Sequence, residues 1–362
     1  MSWLKLKEDY TPHERKWWHL PLLLILIGGT IYIALDYNGG MNREPSATAW
    51  MQQTVQKDEG MVFGTIYHIT YESEKNLQTG IHETLKAVDF SLSPFNKEST
   101  ITAINNNTSQ KVDAQFAEVF QLAKQISVAT NGAFDITVAP LVNAWGFGFK
   151  NAEKIDSTKI DSILQFVGFE KVTMENGEVN KADERLMLDC SAIAKGYGVD
   201  AVGKYLEKEG VKNYMVEIGG EVRVRGNNPQ GALWHIGITK PVDDSLSING
   251  ELQQIVKVSD IAMATSGNYR NFYEKDGMKY AHTIDPRTGR PVQHNILSST
   301  VLAQDCATAD AYATSFMVLG VDKAKEILRR HPELMAYFIY AKPNGDNAVW
   351  FSDALREKII DQ

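Results

Sequence analysis

Hydrophobic positions along the chain fall into three patterns, and each predicts a different kind of element. Alternating or β-branched and aromatic runs predict strands: 61–72 (MVFGTIYHITYE), 214–217, 221–224, 233–238, 254–258, 261–265, 279–284, 299–303, 335–341 and 347–351. A helical period runs through Phe116, Val119, Phe120, Ala123 and Ile126, with Asn131-Gly132 as a stop signal, so a helix is expected over 114–130. Further helices are expected at 81–90, at 191–209 with Gly210 at its end, at 307–319 and at 322–330. Strands and helices do not alternate regularly, which predicts an α+β fold of largely antiparallel sheets with packed helices.

The third pattern is an unbroken apolar run. Residues 17–35 (WWHLPLLLILIGGTIYIAL) carry no formal charge, and as a helix they roughly span a ~30 Å hydrocarbon core. Trp17 and Trp18 stand where amphipathic rings favour the headgroup layer. Lys5, Lys7, Arg15 and Lys16 precede the run while only Arg43 follows closely, a bias that keeps 1–16 cytoplasmic and exports the remainder. The alternative is a cleaved signal peptide, but the nearest small-x-small triplet, Ala47-Thr48-Ala49, lies well past the apolar run. The expected organisation is therefore a cytoplasmic 1–16, a transmembrane signal anchor at 17–35, a linker at 36–58 and an exported, periplasmic-side body at 59–362.

Composition narrows the function. With 43% hydrophobic and 23% charged residues among 362, the chain is built like a folded globular protein. Its formal charge of -8 argues against a broad phosphate-backbone surface, so no nucleic-acid partner is expected and any bound anion must be held locally. Cys190 and Cys306 are too few for a disulfide framework and lack zinc-ligand spacing.

Several segments carry candidate chemistry. Asp310 and Thr314 are one helical turn apart and put a carboxylate and a hydroxyl on one face, an all-oxygen pair that suits a hard cation such as Mg²⁺ or Ca²⁺; a solvated or capping pair has the same spacing. DCSAIAKGYGVD (189–200) opens a helix, with Asp189 and Ser191 as candidate N-caps, Lys195 as a local positive charge, and Gly196 and Gly198 leaving room for a ligand or a neighbouring backbone. GAFDITVAPLVNAWGFG (132–148) mixes aromatic rings with Asp135, which suits either a planar ligand or a core-lining turn. Asp285-Pro286-Arg287-Thr288-Gly289 is a turn signal, and His282 before it is a titrating group or a buried polar contact.

Taken in series, these segments resemble the ApbE family, the FAD:protein FMN transferases. The resemblance rests on FGTIYHI from Phe63, SPFNKESTITAIN (93–105), the 132–148 and 189–200 segments, VEIGGEVRVRG (216–226), ATSGNY (264–269), HTIDPRTGRPV (282–292) and ATADAYATSFMVLG (307–320). It implies a Mg²⁺-dependent enzyme that cleaves FAD, transfers FMN to a threonine hydroxyl of an exported target protein and releases AMP. It also implies metal ligation by Asp310, Thr314 and the Ala192 carbonyl. Flavin-nucleotide contacts would come from Phe63, Phe95, Ala133, Phe134, Asp135, Asp189, Lys195 and Thr283, and His282 and Asp285 would be the acid–base candidates. Three positions depart from the family pattern: Phe63 replaces a common Met, Phe95 a common Tyr, and Ala313 a second acidic ligand found in some members. Water as acceptor would give an FAD pyrophosphatase, and binding without turnover a membrane-tethered flavin carrier. Cys190 and Cys306, flanking the two metal-site segments, are either buried thiols or a disulfide.

Overall fold

Eight strands pair in the order in which they occur in the chain. In the computed structural model, which describes residues 54–360 except 150–154, 241–251, 268–271, 276–277, 282, 294, 343 and 345, they are β1 (Val55–Val62), β2 (Thr65–Glu72), β3 (Tyr214–Ile218), β4 (Glu221–Arg225), β5 (Ile261–Gly267), β6 (Ile296–Ala303), β7 (Met335–Ala341) and β8 (Asn347–Phe351). Every neighbouring pair is antiparallel. The helices are inserted between these strands: α1 (Gln78–Leu92), α2 (Thr100–Asn105), α3 (Ala114–Ala129), α4 (Ala139–Trp145), α5 (Ser157–Leu164), α6 (Ala194–Lys208), α7 (Cys306–Leu319) and α8 (Val321–Arg330). The expected α+β class with antiparallel sheets is the one found. Among the described residues no helix is long and apolar enough to cross a membrane; the 17–35 run, most of the 36–58 linker and His282 lie outside them.

The middle strands read as continuous apolar runs because both their faces are covered. On one face Ala264, Val301, Ala336 and Phe338 join a core with α3, α7 and α8. On the other, Met263, Leu302, Tyr337 and Ile339 meet the hairpin formed by Trp234–Thr239 and Leu252–Val258. Helix α7 is apolar all round and almost wholly buried, as a helix enclosed on every side must be. It carries Asp310 into this interior.

Among the boundaries that differ from the sequence reading, two bear on the site. The run 61–72 is a hairpin, not one strand: Val62 pairs with Thr65 across Phe63 (φ 52°) and Gly64 (φ 75°), a two-residue turn with both central residues left-handed. Its first strand begins at Val55, inside the stretch read as linker. Helix α6 starts at Ala194 rather than Ser191, because Ile193, without a side-chain cap, is its N-cap. Asp189 instead closes a local turn, its Oδ1 accepting from the Ser191 N–H at 2.8 Å.

Candidate active site

The site is built where α6 crosses α7. A Cβ on Gly196 would stand 2.3 Å from the Cys306 carbonyl oxygen, so only glycine lets the two helices approach this closely. The contact has an electrostatic consequence. The Gly196 N–H, which a continuing helix would donate to the carbonyl of Ala192, donates to Asp310 Oδ2 at 3.1 Å. The Ala192 carbonyl, two residues before the first residue of α6, stands outside the helical hydrogen-bond ladder.

Asp200, one turn further along α6, completes the junction. Its two carboxylate oxygens accept from the Cys306 and Ala307 N–H groups, both at 2.9 Å, and Arg223 pairs with Oδ1 at 2.8 Å. A residue of one helix thus caps the next. Asp305 adds its own cap through the Thr308 N–H at 2.8 Å.

Beside the junction lies a buried charge cluster. Lys195 Nζ is 2.5 Å from Glu221 Oε1, and Asp310 lies close enough to act on both. Burial pushes the Asp310 and Glu221 carboxyls above their ordinary range, against the pull of Lys195. Burial works to lower Lys195, yet the Glu221 and Asp310 charges outweigh it and hold the ammonium above its usual range. One turn on from Asp310, Thr314 shares a hydrogen bond of 3.0 Å with Ser266 on β5.

A cleft of about 570 Å³ opens onto this cluster. Lys195, Ala194 and Ser191 form its floor, and Phe63, Phe95 and Phe147 supply aromatic walls. Phe63 reaches the cleft from the left-handed turn between β1 and β2, its ring lying over Gly198, where a Cβ would meet it at 2.6 Å. The room left by Gly196 and Gly198 is therefore filled by a backbone and a ring of the protein itself. Phe95 is 69% exposed, edge-on to Phe149 at 6.2 Å.

Of the residues singled out in the sequence, Phe63, Phe95, Lys195, Ala192, Asp310 and Thr314 are brought to one junction and its cleft. Of the 132–148 segment, Phe147 lines the cleft, but Ala133, Phe134, Asp135 and Trp145 do not. Ala133 and Phe134 are buried core side chains, and Asp135 is turned inward, accepting from Thr137 N–H (2.8 Å), Thr137 Oγ1 (2.7 Å) and Phe169 N–H (2.8 Å). Burial outweighs those three donors and pushes Asp135 up to about 6. Trp145, read as a ligand face, donates to the Gly289 carbonyl at 2.8 Å and braces the 284–291 hairpin. Asp285 belongs to that hairpin turn: its oxygens accept from Arg287 N, Nε and Nη2 at 2.8 to 2.9 Å, which leaves it poorly placed to take a proton. Thr283 begins the same hairpin, its carbonyl accepting from Val292 N–H. Cys190 and Cys306 are buried free thiols and not a disulfide; Cys306 Sγ faces the carbonyls of Val222 and Met263.

Glu221, Ser266 and Asp200 were not singled out in the sequence, whereas Phe147, read there as an aromatic face for a planar ligand, does line the cleft. Glu221 had one signal, an acid directly after Gly219-Gly220 in a strand that otherwise alternates. Among the described residues no three His, Cys, Asp or Glu side chains gather as a metal site. A cation at the junction would rest on one carboxylate with carbonyl and hydroxyl oxygens, a hard donor set that fits Mg²⁺ with part of its shell left to water or phosphate.

Comparison with known proteins agrees with this arrangement. Residues 63–338 match the model of the ApbE family. An FAD:protein FMN transferase of Vibrio cholerae is 40% identical over 74% of this chain and 82% of its own length. One from Haemophilus influenzae is 37% identical over 88% of this chain and 94% of its own. Among solved structures, the flavin transferase ApbE from Vibrio cholerae superposes with a TM-score of 0.75 at 33% identity, covering 84% of this chain and 100% of the other. The apo flavinyl transferase ApbE of Pseudomonas stutzeri gives 0.74 at 29% identity, covering 84% and 96%. A family match that runs from the β1–β2 turn into β7 and takes in both helices of the junction makes the conclusion plain: this chain belongs to the ApbE family.

Proposed function

We propose that this protein transfers FMN from FAD to a threonine hydroxyl of an exported target protein, releasing AMP, with Mg²⁺ as cofactor. The observation that carries the reading is the junction itself: a buried carboxylate, a carbonyl just ahead of a helix and a half-buried ammonium, all beside an aromatic-walled cleft. A protein of net charge -8 needs such a local device to hold a dinucleotide's diphosphate.

Asp310, Thr314 and the Ala192 carbonyl would hold Mg²⁺, which when bound would offset the diphosphate charge and stabilise the leaving AMP. Lys195 binds the same anion from the cleft floor, and Phe63 and Phe95 present faces to the flat rings. The cleft walls fix the diphosphate so that the incoming threonine oxygen and the departing AMP oxygen lie in line across the FMN phosphorus. A threonine hydroxyl is a weak nucleophile until its proton is accepted. With Asp285 engaged by Arg287, His282 is the group assigned to take it. The run 17–35 would tether the body to the outer face of the cytoplasmic membrane, where exported acceptors are met.

The test is incubation with FAD, Mg²⁺ and a threonine-bearing acceptor domain, followed by mass analysis of the acceptor. Covalent FMN on the acceptor and free AMP in equal amounts are expected. FMN released without labelling would establish a pyrophosphatase instead, and intact FAD a carrier. Asp310→Ala should lower product formation by at least about 100-fold in protein that still shows a cooperative melt.

A further inference from the structure

Glu221 stands at the first position of β4, directly after the left-handed pair Gly219 and Gly220, and is 2% exposed. Its Oε1 meets Lys195 Nζ, while Oε2 is buried with no hydrogen-bond partner. A carboxylate kept only for stability would have both oxygens satisfied. Lysine is a compact charge on a flexible four-carbon stem, so its ammonium has no fixed direction unless another group imposes one. Among the described residues Glu221 is the acceptor paired with that ammonium, and Lys195 is the basic side chain of the cleft lining, whose other charged residue is Asp89.

We propose that Glu221 is a positioning residue for dinucleotide binding: it does not touch FAD, but pins the Lys195 ammonium so that its remaining N–H donors face the diphosphate. This rests on the reading of the cleft as the FAD site. One Lys195 donor is committed to Glu221 and two remain for phosphate oxygens. Asp310 also lies near Lys195, but one of its oxygens is engaged by the Gly196 N–H, whereas Glu221 Oε1 makes the direct ion pair with the ammonium.

The experiment is a double-mutant cycle on the full chain with Glu221→Gln, Lys195→Met and the pair. FAD affinity is read by flavin fluorescence in EDTA, and KM for FAD and for the acceptor are read separately with Mg²⁺. Glu221→Gln should weaken FAD binding and raise its KM by about 10-fold or more, with acceptor KM unchanged. In the Lys195→Met background the same substitution should change FAD affinity by less than about 2-fold, because Glu221 then has nothing to position. Equal FAD binding by Glu221→Gln and the parent would overturn the proposal, as would an undiminished effect in the Lys195→Met background. Should Glu221→Gln not fold, Glu221→Asp keeps the charge but draws it back by one methylene, and a selective rise in FAD KM is again the expected result. A parent protein that does not bind FAD would sink the reading of the cleft rather than the role of Glu221 within it.

Discussion

Asp200 and Asp135 are both buried, yet their surroundings give them different consequences. Asp200 satisfies two N–H groups at the start of α7 and neutralises Arg223, whose side chain is only 17% exposed. Asp200→Ala leaves a buried guanidinium short of a partner and a helix end uncapped, so unfolding free energy should fall by about 3 kcal/mol in a urea titration. Asp135 works in the other sense. Raised from the ordinary 3.8 to about 6, it binds its proton more tightly in the folded than in the unfolded chain. Its contribution is therefore fully present below pH 3.8 and lost as pH rises through about 6, a change of about 3 kcal/mol. Asp135→Asn has no proton to lose there. The parent's stability measured against Asp135→Asn should decline between pH 4 and 6 and level off above; a flat difference would mean that the three donors, not burial, govern this carboxyl.

Element-scale packing explains why a helix-breaking residue stands inside α6. Alanine is intrinsically better in a helix by about 1 kcal/mol, so Gly196→Ala and Gly203→Ala would both stabilise an isolated α6. In the fold they separate. The new Cβ at 196 would strike the Cys306 backbone at 2.3 Å, whereas at 203 it meets side-chain atoms of Tyr214 and Arg223, at 2.9 and 3.1 Å, which are themselves held by Glu207 and Asp200. Gly196→Ala should therefore cost several kcal/mol by thermal melt and abolish turnover by pushing α7 and Asp310 away. Gly203→Ala should cost less than Gly196→Ala, because side chains and not a backbone stand in its way, and should leave turnover measurable. This is also where the sequence was readable and where it was not. The period of Phe116 to Ile126 and the apolar stretch 335–341 mark their elements clearly, because burial on one or both faces writes itself into local spacing. The turn at Phe63-Gly64 was hidden because a large apolar residue occupies a position where Asn or Asp usually announces a hairpin; that ring is there for the cleft, not for the turn. Asp310 and Thr314 were legible as a pair, being one turn apart. Glu221 was not, since its meaning lies in a contact with Lys195 across a fold that no local pattern encodes. Asp135, conspicuous between aromatic residues, was read outward when its carboxylate points into the core.

At the scale of the whole molecule, β1, the edge strand, begins at Val55, and the apolar run of the sequence ends at Leu35. Nineteen residues lie between them, positions 36–54, enough at roughly 3.3 Å each to carry the body tens of ångströms from a bilayer. If 17–35 is a retained anchor, a membrane-bound enzyme must find acceptors that diffuse to it, and its labelling in cells depends on tether as well as on chemistry. The full chain should then remain with membranes after an alkaline wash and be digested by protease added from the exported side. Substituting two leucines of the run by aspartate, Leu23→Asp with Leu26→Asp, places charges at the bilayer centre at about 2.5–3.5 kcal/mol each and should abolish retention. Transfer to an acceptor in solution by the released protein should be unchanged, because the junction of α6 and α7 lies wholly beyond the run. Recovery of the parent chain in the soluble fraction, shortened to a new N-terminus past Ala49, would show a cleaved leader and not a tether.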